Sequence, residues 1–247
     1  MNRLVVIIPA RYKSSRFPGK PLVPLLGKPM VLWVAELAVE AVGIDNVYVA
    51  TDDKRISDAV RDSGFKAIMT EHGALTGTDR VAEAALKVDA DIYLNIQGDE
   101  PMVSPIDIML IAEAKRLNPD HVINGYCWMD GHEVPSNVNI PKVITKENDE
   151  LVYISRMALP GYKEHGNAPS RYKKQVCIYA FNKKELAIFR SFGRKSYLEA
   201  CEDIEILRFI ELGKKIKMVE VRPGSLAVDI PGDLQAVENR LRERMGI

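Results

Sequence analysis

The chain has 247 residues, 47% apolar and 28% charged, proportions that exclude a disordered or fibrous protein and leave room for one α/β domain with a sizeable core. Its 34 Lys and Arg balance its 34 Asp and Glu, which excludes whole-molecule attraction to nucleic acid or an anionic membrane; an anionic ligand has to be held by local clustering. Three scattered cysteines, Cys127, Cys177 and Cys201, read as small apolar packing residues of a reducing compartment, and the absence of a leader-like start or of a run of roughly 20 apolar residues points to a cytoplasmic protein.

Residues 4–8 form a continuous apolar run, expected as a buried strand ending at Pro9, which cannot donate to a ladder. The loop that follows carries Arg11, Lys13, Arg16 and Lys20 among Ser14, Ser15, Pro18 and Gly19. At the C-terminal end of a strand, where open α/β sheets bind ligands, such a loop either surrounds a polyphosphate or is a solvated basic turn. Residues 30–42 place Val31, Val34, Ala35, Ala38 and Val42 on one side, the pattern of a helix covering a sheet. A strand at 46–50, a helix at about 54–63, a strand at 66–69, a helix at 77–87 and a strand at 91–96 continue the alternation. Right-handed crossovers then give an α/β, Rossmann-like fold with a mostly parallel central sheet and helices on both faces.

Beyond Pro101 the spacing of Ile106, Met109 and Leu110 predicts another helix, ending before Asn118. The pattern changes after it. Strands at 121–128 and 142–155, the second interrupted by Glu147-Asn148-Asp149, read as antiparallel pairs around a loop at 129–141. Residues 160–170, with two glycines and two prolines, read as a flap or interface arm. A strand at 174–182 follows, then a helix at 198–213 with Cys201, Ile204, Leu207 and Ile210 or Phe209 inward and Gly213 as its C-cap. A strand at 215–221 leads to Ala227-Val228-Asp229 and a last helix after Pro231. The chain reads as one domain, 1–247, containing a smaller antiparallel sub-region at approximately 120–182.

Two carboxylates stand where chemistry is expected. Asp99, in Gln97-Gly98-Asp99-Glu100, sits at a strand end beside a bend-permitting glycine, so it is either a turn residue or a hard oxygen ligand for a phosphate-bound Mg²⁺. Asp229, before a helix, is either an N-cap or the second oxygen ligand that such a metal needs. Glu202 and Glu205 lie three apart on the expected helix, and they either form a solvated face or accept hydrogen bonds from a polyol; neither reads as buried enough for a general acid. No Gly-x-Gly-x-x-Gly follows the first strand, Gly19-Lys20 lacks the Walker context, and no nucleophile elbow or His-Glu-x-x-His pair occurs. Phosphate chemistry with Mg²⁺ remains.

Ile8-Pro9-Ala10-Arg11, Ser15-Arg16-Phe17-Pro18-Gly19-Lys20-Pro21-Leu22, Gly27-Lys28-Pro29-Met30, Gly77-Thr78-Asp79-Arg80, Asn95-Ile96-Gln97-Gly98-Asp99-Glu100-Pro101 and Val228-Asp229-Ile230-Pro231 occur in the order found in the 3-deoxy-manno-octulosonate cytidylyltransferases, the CMP-Kdo synthetases. The chain resembles that family almost throughout. The resemblance implies a nucleotidyltransferase fold, usually dimeric, that joins CTP to the anomeric hydroxyl of an acid sugar and releases pyrophosphate. It further implies that Ala10, Arg11, Arg16 and Lys20 hold the triphosphate, that Arg80 and Gln97 line the nucleotide and sugar pockets, and that Asp99 and Asp229 ligate Mg²⁺. Arg11, Lys20, Asp99 and Asp229 are then the catalytic set, and Gln97, Arg156, Gln175, Tyr179, Glu202 and Glu205 border the acceptor. The sub-region at 120–182 would serve acceptor binding and dimerisation.

The chain departs from the family pattern in two places. His-Leu-Gly-Ile-Tyr is replaced by Gln175-Val176-Cys177-Ile178-Tyr179, and Glu-Gln-Leu-Arg by Glu205-Ile206-Leu207-Arg208. With the nucleotide motifs intact, these changes imply the same reaction on Kdo or on a modified acid such as an amino-Kdo, a sialic-type acid or a phosphonate. A nucleotide-binding regulatory protein without turnover is the alternative outside the enzymes.

Overall fold

The computed structural model describes residues 3–14, 17–224, 226–228 and 230–246. Strand β1 (Leu4–Ala10) lies inside the main sheet and is apolar throughout and buried at every position but Leu4, because both of its faces are covered. Val5 and Ile7 point into one core; Val6, Ile8 and Ala10 point into the other. A two-stranded ribbon, β2 (Pro24–Leu25) and β3 (Lys28–Pro29), follows the loop and leads into α1 (Met30–Val42). Then come β4 (Val47–Thr51), α2 (Lys54–Asp62), β5 (Lys66–Met69), α3 (Gly77–Ala84), β6 (Ile92–Ile96) and α4 (Pro105–Leu117). Strands β6, β1, β4 and β5 are adjacent and parallel. The chain moves outward through β4 and β5 and returns to β6 on the other side of β1, which opens a crevice at the C-terminal ends of β1 and β6.

The remainder comprises β7 (Val122–Trp128), β8 (Lys142–Thr145), β9 (Leu151–Ser155), β10 (Lys173–Phe181), α5 (Lys183–Ser191), α6 (Tyr197–Glu202), α7 (Leu207–Glu211), β11 (Ile216–Glu220) and α8 (Leu234–Met245). The long sheet runs β11-β7-β10-β6-β1-β4-β5; β10 is antiparallel to both of its neighbours, and the β8–β9 hairpin branches from it. The mostly parallel sheet expected from the alternation is therefore present. The antiparallel strands continue the sheet of the parallel half. Helices α1, α2 and α4 cover one face, and α3, α5 and α7 the other. Each fully buried Ile, Leu or Phe in these layers contributes about 1.5–3 kcal/mol of transfer free energy. Helix α8 packs Val237 and Leu241 on Leu25, Met30 and Val228, so the C-terminus clamps the segment after the basic loop.

Several local expectations are corrected. Strand β1 continues through Pro9 to Ala10, because pairing with β6 stops at Ile7 while pairing with β4 runs to Ala10. Helix α4 buries Ile108, Ile111 and Ala112, whereas Ile106, Met109 and Leu110, which signalled it, are exposed. The single helix expected over 198–213 is two: Asp203 adopts a left-handed conformation (φ 50°) and ends α6. Cys201 is consequently exposed, although Ile204, Leu207 and Phe209 do face inward and Gly213 (φ 70°) follows the last turn. Ile206, expected on the acceptor side, is buried in the core. Among the described residues no helix is long and apolar enough to cross a membrane.

Candidate active site

The crevice is built from the ends of β1 and β6 by two close backbone approaches. Gly19 takes a left-handed conformation (φ 72°) and donates its N–H to the Tyr12 carbonyl at 2.8 Å, closing the basic loop. The Tyr12 ring packs against Gly19 and carries the Arg55 guanidinium 3.3 Å above its centroid. At Gly98 a Cβ would lie 3.0 Å from the Pro9 carbonyl oxygen, so glycine lets the chain leave β6 against the end of β1. These contacts set Lys20 opposite Asp99. Its Nζ donates to Asp99 Oδ2 at 2.5 Å and to the Val228 carbonyl at 2.8 Å, while Val228 N–H donates to the Asp99 carbonyl at 3.0 Å. Arg11 is exposed on the cleft wall, and among the described residues no carboxylate pairs with it. Ala10 is buried beneath the loop. Arg16 and Asp229 lie outside the described residues.

The donor set fits a hard divalent cation. Two oxygens, from Asp99 and Val228, already converge on one positive centre, the Lys20 ammonium. No group of three or more His, Cys, Asp or Glu that could hold a metal occurs among the described residues. One or two carboxylates with the remaining positions left to phosphate and water is the Mg²⁺ pattern, not that of an all-protein metal cage.

The middle of the cleft is organised by Glu205. One carboxylate oxygen accepts the Thr78 backbone N–H at 2.9 Å at the start of α3, and the other accepts Gln97 Nε2 at 2.9 Å. Although part of its surface opens to the cleft, loss of hydration pushes its carboxyl pKa up, against the lowering effect of the Thr78 hydrogen bonds. The carboxyl is thus less solvated than the exposed helix face that its spacing suggested. Gly77 makes room for Gln97: a Cβ there would lie 2.7 Å from Nε2. Arg208, wholly buried, holds the same wall by pairing with Asp79 at 2.7 Å and Glu199 at 2.6 Å. Arg80 does not reach the cleft; it is buried against Thr70 and pairs with Asp52 at 3.2 Å.

At the opposite end, where the acceptor is expected, β10 bulges between Val176 and Tyr179, and Gln175, Cys177 and Tyr179 line the cavity. Burial raises the Tyr179 phenol and the Cys177 thiol well above their usual ranges, so both stay neutral. Arg156 lines the cavity, but its guanidinium donates to the carbonyls of Glu202, Val138 and Asp203 at 2.5, 2.9 and 3.1 Å. Glu202 faces away from Glu205 across the helix break and accepts from Ser155 Oγ at 2.7 Å and Arg156 N–H at 2.8 Å. The expectation of a shared face is thus corrected: Glu202 ties α6 to β9, and Glu205 alone enters the cleft. Sequence reasoning missed Asn124, a fully buried amide on β7, and the Lys174–Glu133 pair on the wall. The signal for Asn124 was an Asn-Gly step inside an otherwise apolar strand.

These parts enclose a cavity of about 610 Å³, from Arg11, Asp99 and Gln97 at one end to Arg156, Gln175 and Tyr179 at the other. Residues 5–216 match the family model described as cytidylyltransferase. The chain is 37% identical over 245 residues to the 3-deoxy-manno-octulosonate cytidylyltransferase of Escherichia coli, covering 99% of this chain and 98% of that one. It is 38% identical to the 8-amino-3,8-dideoxy-manno-octulosonate cytidylyltransferase of Shewanella amazonensis, covering 97% and 98%. A solved structure of CMP:2-keto-3-deoxy-manno-octonic acid synthetase complexed with CTP superposes with a TM-score of 0.90 at 38% identity, over 98% of this chain and 99% of that one.

Proposed function

The chain belongs to the cytidylyltransferase family, and from that premise we propose that it transfers CMP from CTP to the anomeric hydroxyl of a 3-deoxy-ulosonic acid sugar, Kdo or a close relative, releasing pyrophosphate. The observation that carries this reading is the single cleft in which a lysine–carboxylate centre and an open arginine face a polar acceptor wall. The anomeric oxygen attacks the α-phosphorus in line, a P–O bond forms, the α–β bridging bond breaks, and the hydroxyl proton passes to solvent. Arg11 and Lys20, with Arg16, bind the triphosphate and stabilise charge growing on pyrophosphate. A triphosphate competes with Asp99 for the Lys20 ammonium, which frees the carboxylate as the phosphates enter. Asp99, with Asp229, would hold Mg²⁺, which supplies charge neutralisation at the phosphates when bound. Gln97 is oriented by Glu205, and Gln175, Tyr179 and Arg156 line the acceptor end; Arg80 supports the wall from behind, and Glu202 fixes Arg156.

The reading extends to a cytoplasmic homodimer acting in lipopolysaccharide biosynthesis. A requirement for CTP and three free thiols support the compartment. Exposed Val152, Met157 and Tyr162 on the antiparallel sub-region support a role for it in dimer contacts. The test is Mg²⁺-dependent pyrophosphate release with four nucleoside triphosphates and a panel of acid sugars, with CTP and a 3-deoxy-ulosonic acid expected as the active pair. Asp99→Ala should lower turnover on the order of 10²- to 10³-fold while leaving the thermal melt intact. Near-normal turnover in that variant would remove Asp99 from the mechanism.

A further inference from the structure

The acceptor wall contains a chain of amides whose polarity is set by chemistry. Asn124 Nδ2 donates to the Val176 carbonyl at 2.9 Å and to the Ile178 carbonyl at 3.0 Å, beside the register shift of β10 between Val176 and Tyr179. Backbone carbonyls only accept, so the NH₂ group of Asn124 must face them and its Oδ1 must face the other way. That oxygen accepts from Gln175 Nε2 at 3.0 Å, and the same nitrogen lies 3.3 Å from the Tyr179 hydroxyl. Both amide hydrogens of Gln175 are thereby engaged. Its Oε1, which no donor among the described residues reaches, is the one polar atom it has left for a ligand in the cavity it lines.

We propose that Asn124 is a positioning residue that locks the Gln175 amide with its carbonyl oxygen available to the acceptor, so that this enzyme selects an acid sugar presenting a hydrogen-bond donor, a hydroxyl or an ammonium, at that point. The inference rests on the cytidylyltransferase reading and deepens its acceptor half. A side chain with a free N–H at this position would favour an acceptor oxygen on the sugar; a locked carbonyl oxygen meets such an oxygen with like polarity. The two carbonyls are the reason the lock exists: without Asn124 both lose this donor, and Gln175 is free to turn over.

The test is steady-state pyrophosphate release at saturating CTP, with 3-deoxy-manno-octulosonate and its 8-amino-8-deoxy analogue as the varied acceptors. Gln175→Met should raise acceptor KM on the order of 10-fold with the KM for CTP unchanged, because one neutral hydrogen bond is lost. The acceptor that loses more is the one whose 8-substituent meets Oε1; equal losses assign the contact to a hydroxyl that both share. Asn124→Ala should raise acceptor KM in the wild-type background but add nothing to Gln175→Met, since it acts through that side chain. An unchanged acceptor KM in Gln175→Met, or additive effects in the double variant, would overturn the proposal. A readout independent of activity guards against a misfolded Asn124→Ala and against failure of the cytidylyltransferase reading itself. In the ¹⁵N-labelled wild-type protein, the Gln175 side-chain NH₂ pair, assigned by its absence from Gln175→Met, should exchange slowly with water; a fast-exchanging pair would refute the lock. Wild-type protein inactive with every acceptor, yet with a slow pair, would leave the lock standing and remove the reaction.

Discussion

Replacing Gly77 by alanine separates the site from the fold. The new Cβ would sit 2.7 Å from Gln97 Nε2 and 3.0 Å from Oε1. An ordinary contact needs about 3.5 Å, so the amide must retreat by roughly 0.8 Å. The hydrogen bond from Gln97 to Glu205, now 2.9 Å, does not survive that shift. A hydrogen bond to a charged acceptor is worth about 1.5–3 kcal/mol, which corresponds to a roughly 10- to 150-fold fall in kcat/KM. The fold should barely respond. The atoms that must move most are the tip of a flexible side chain, the Pro9 ring at 3.2 Å has to give by only a few tenths of an ångström, and a Gly→Ala change at a compatible backbone position stabilises by about 0.4–1 kcal/mol through the unfolded chain. Pyrophosphate release under limiting acceptor, paired with a thermal melt, reads both effects. Unchanged kcat/KM with an intact melt would refute the role of the Gln97–Glu205 contact, and a large fall in Tm would refute the claim that only a side chain moves.

Arg208→Met should be the reverse case, leaving Glu199 and Asp79 buried without their partner. Losing one side of a buried pair costs about 3–5 kcal/mol, so the melt should fall by roughly 6–20 °C at this chain length; a fall under about 3 °C would contradict it. Asp107 titrates in a direction that can be tested. Burial raises its carboxyl above 3.8, so the native state binds its proton more tightly than the unfolded chain, and stability is lost as pH rises through the native pKa. Asp107→Asn removes that loss, so its Tm relative to wild type should rise as the pH rises above about 3.8; a constant difference would refute the sign. The Cys127 thiol is pushed up to about 11 and Cys177 well above its usual range by burial, whereas Cys201 is exposed. Iodoacetamide should therefore label Cys201 alone in the native protein, as located by mass spectrometry, and all three thiols after denaturation.

Much of the molecule was legible in one dimension. Apolar runs bounded by turn residues locate the strands, because a strand covered on both faces has little choice of composition, and helix α1 matches its expected bounds, 30–42. The basic loop and Asp99 could likewise be placed at strand ends, and the Lys20–Asp99 contact joins them. Positions that depend on which side of an element meets a neighbour were not legible. Helix α4 carries apolar residues on two faces, and only the sheet beneath it selects Ile108 and Ile111 over Met109 and Leu110. A left-handed aspartate at 203 splits one apparent helix and sends Glu202 and Glu205 to different tasks, a consequence of backbone geometry that spacing cannot encode. The family resemblance put Arg80 at the pocket, yet here Asp52 pairs with it and Thr70 accepts its hydrogen bond within the core.

The sequence by itself determined the α/β alternation, the cationic loop and the carboxylate opposite it, because short-range periodicity and turn chemistry are written in neighbouring residues. The polarity of the wall around Gln175 was decided by tertiary structure alone. Asn124 and Gln175 are 51 residues apart, and their polarity follows from the two β10 carbonyls, of Val176 and Ile178, to which Asn124 donates. Hydrogen-bond satisfaction in a buried network is a property of the closed structure: each amide takes its orientation from the next, and the last one is left to face the substrate.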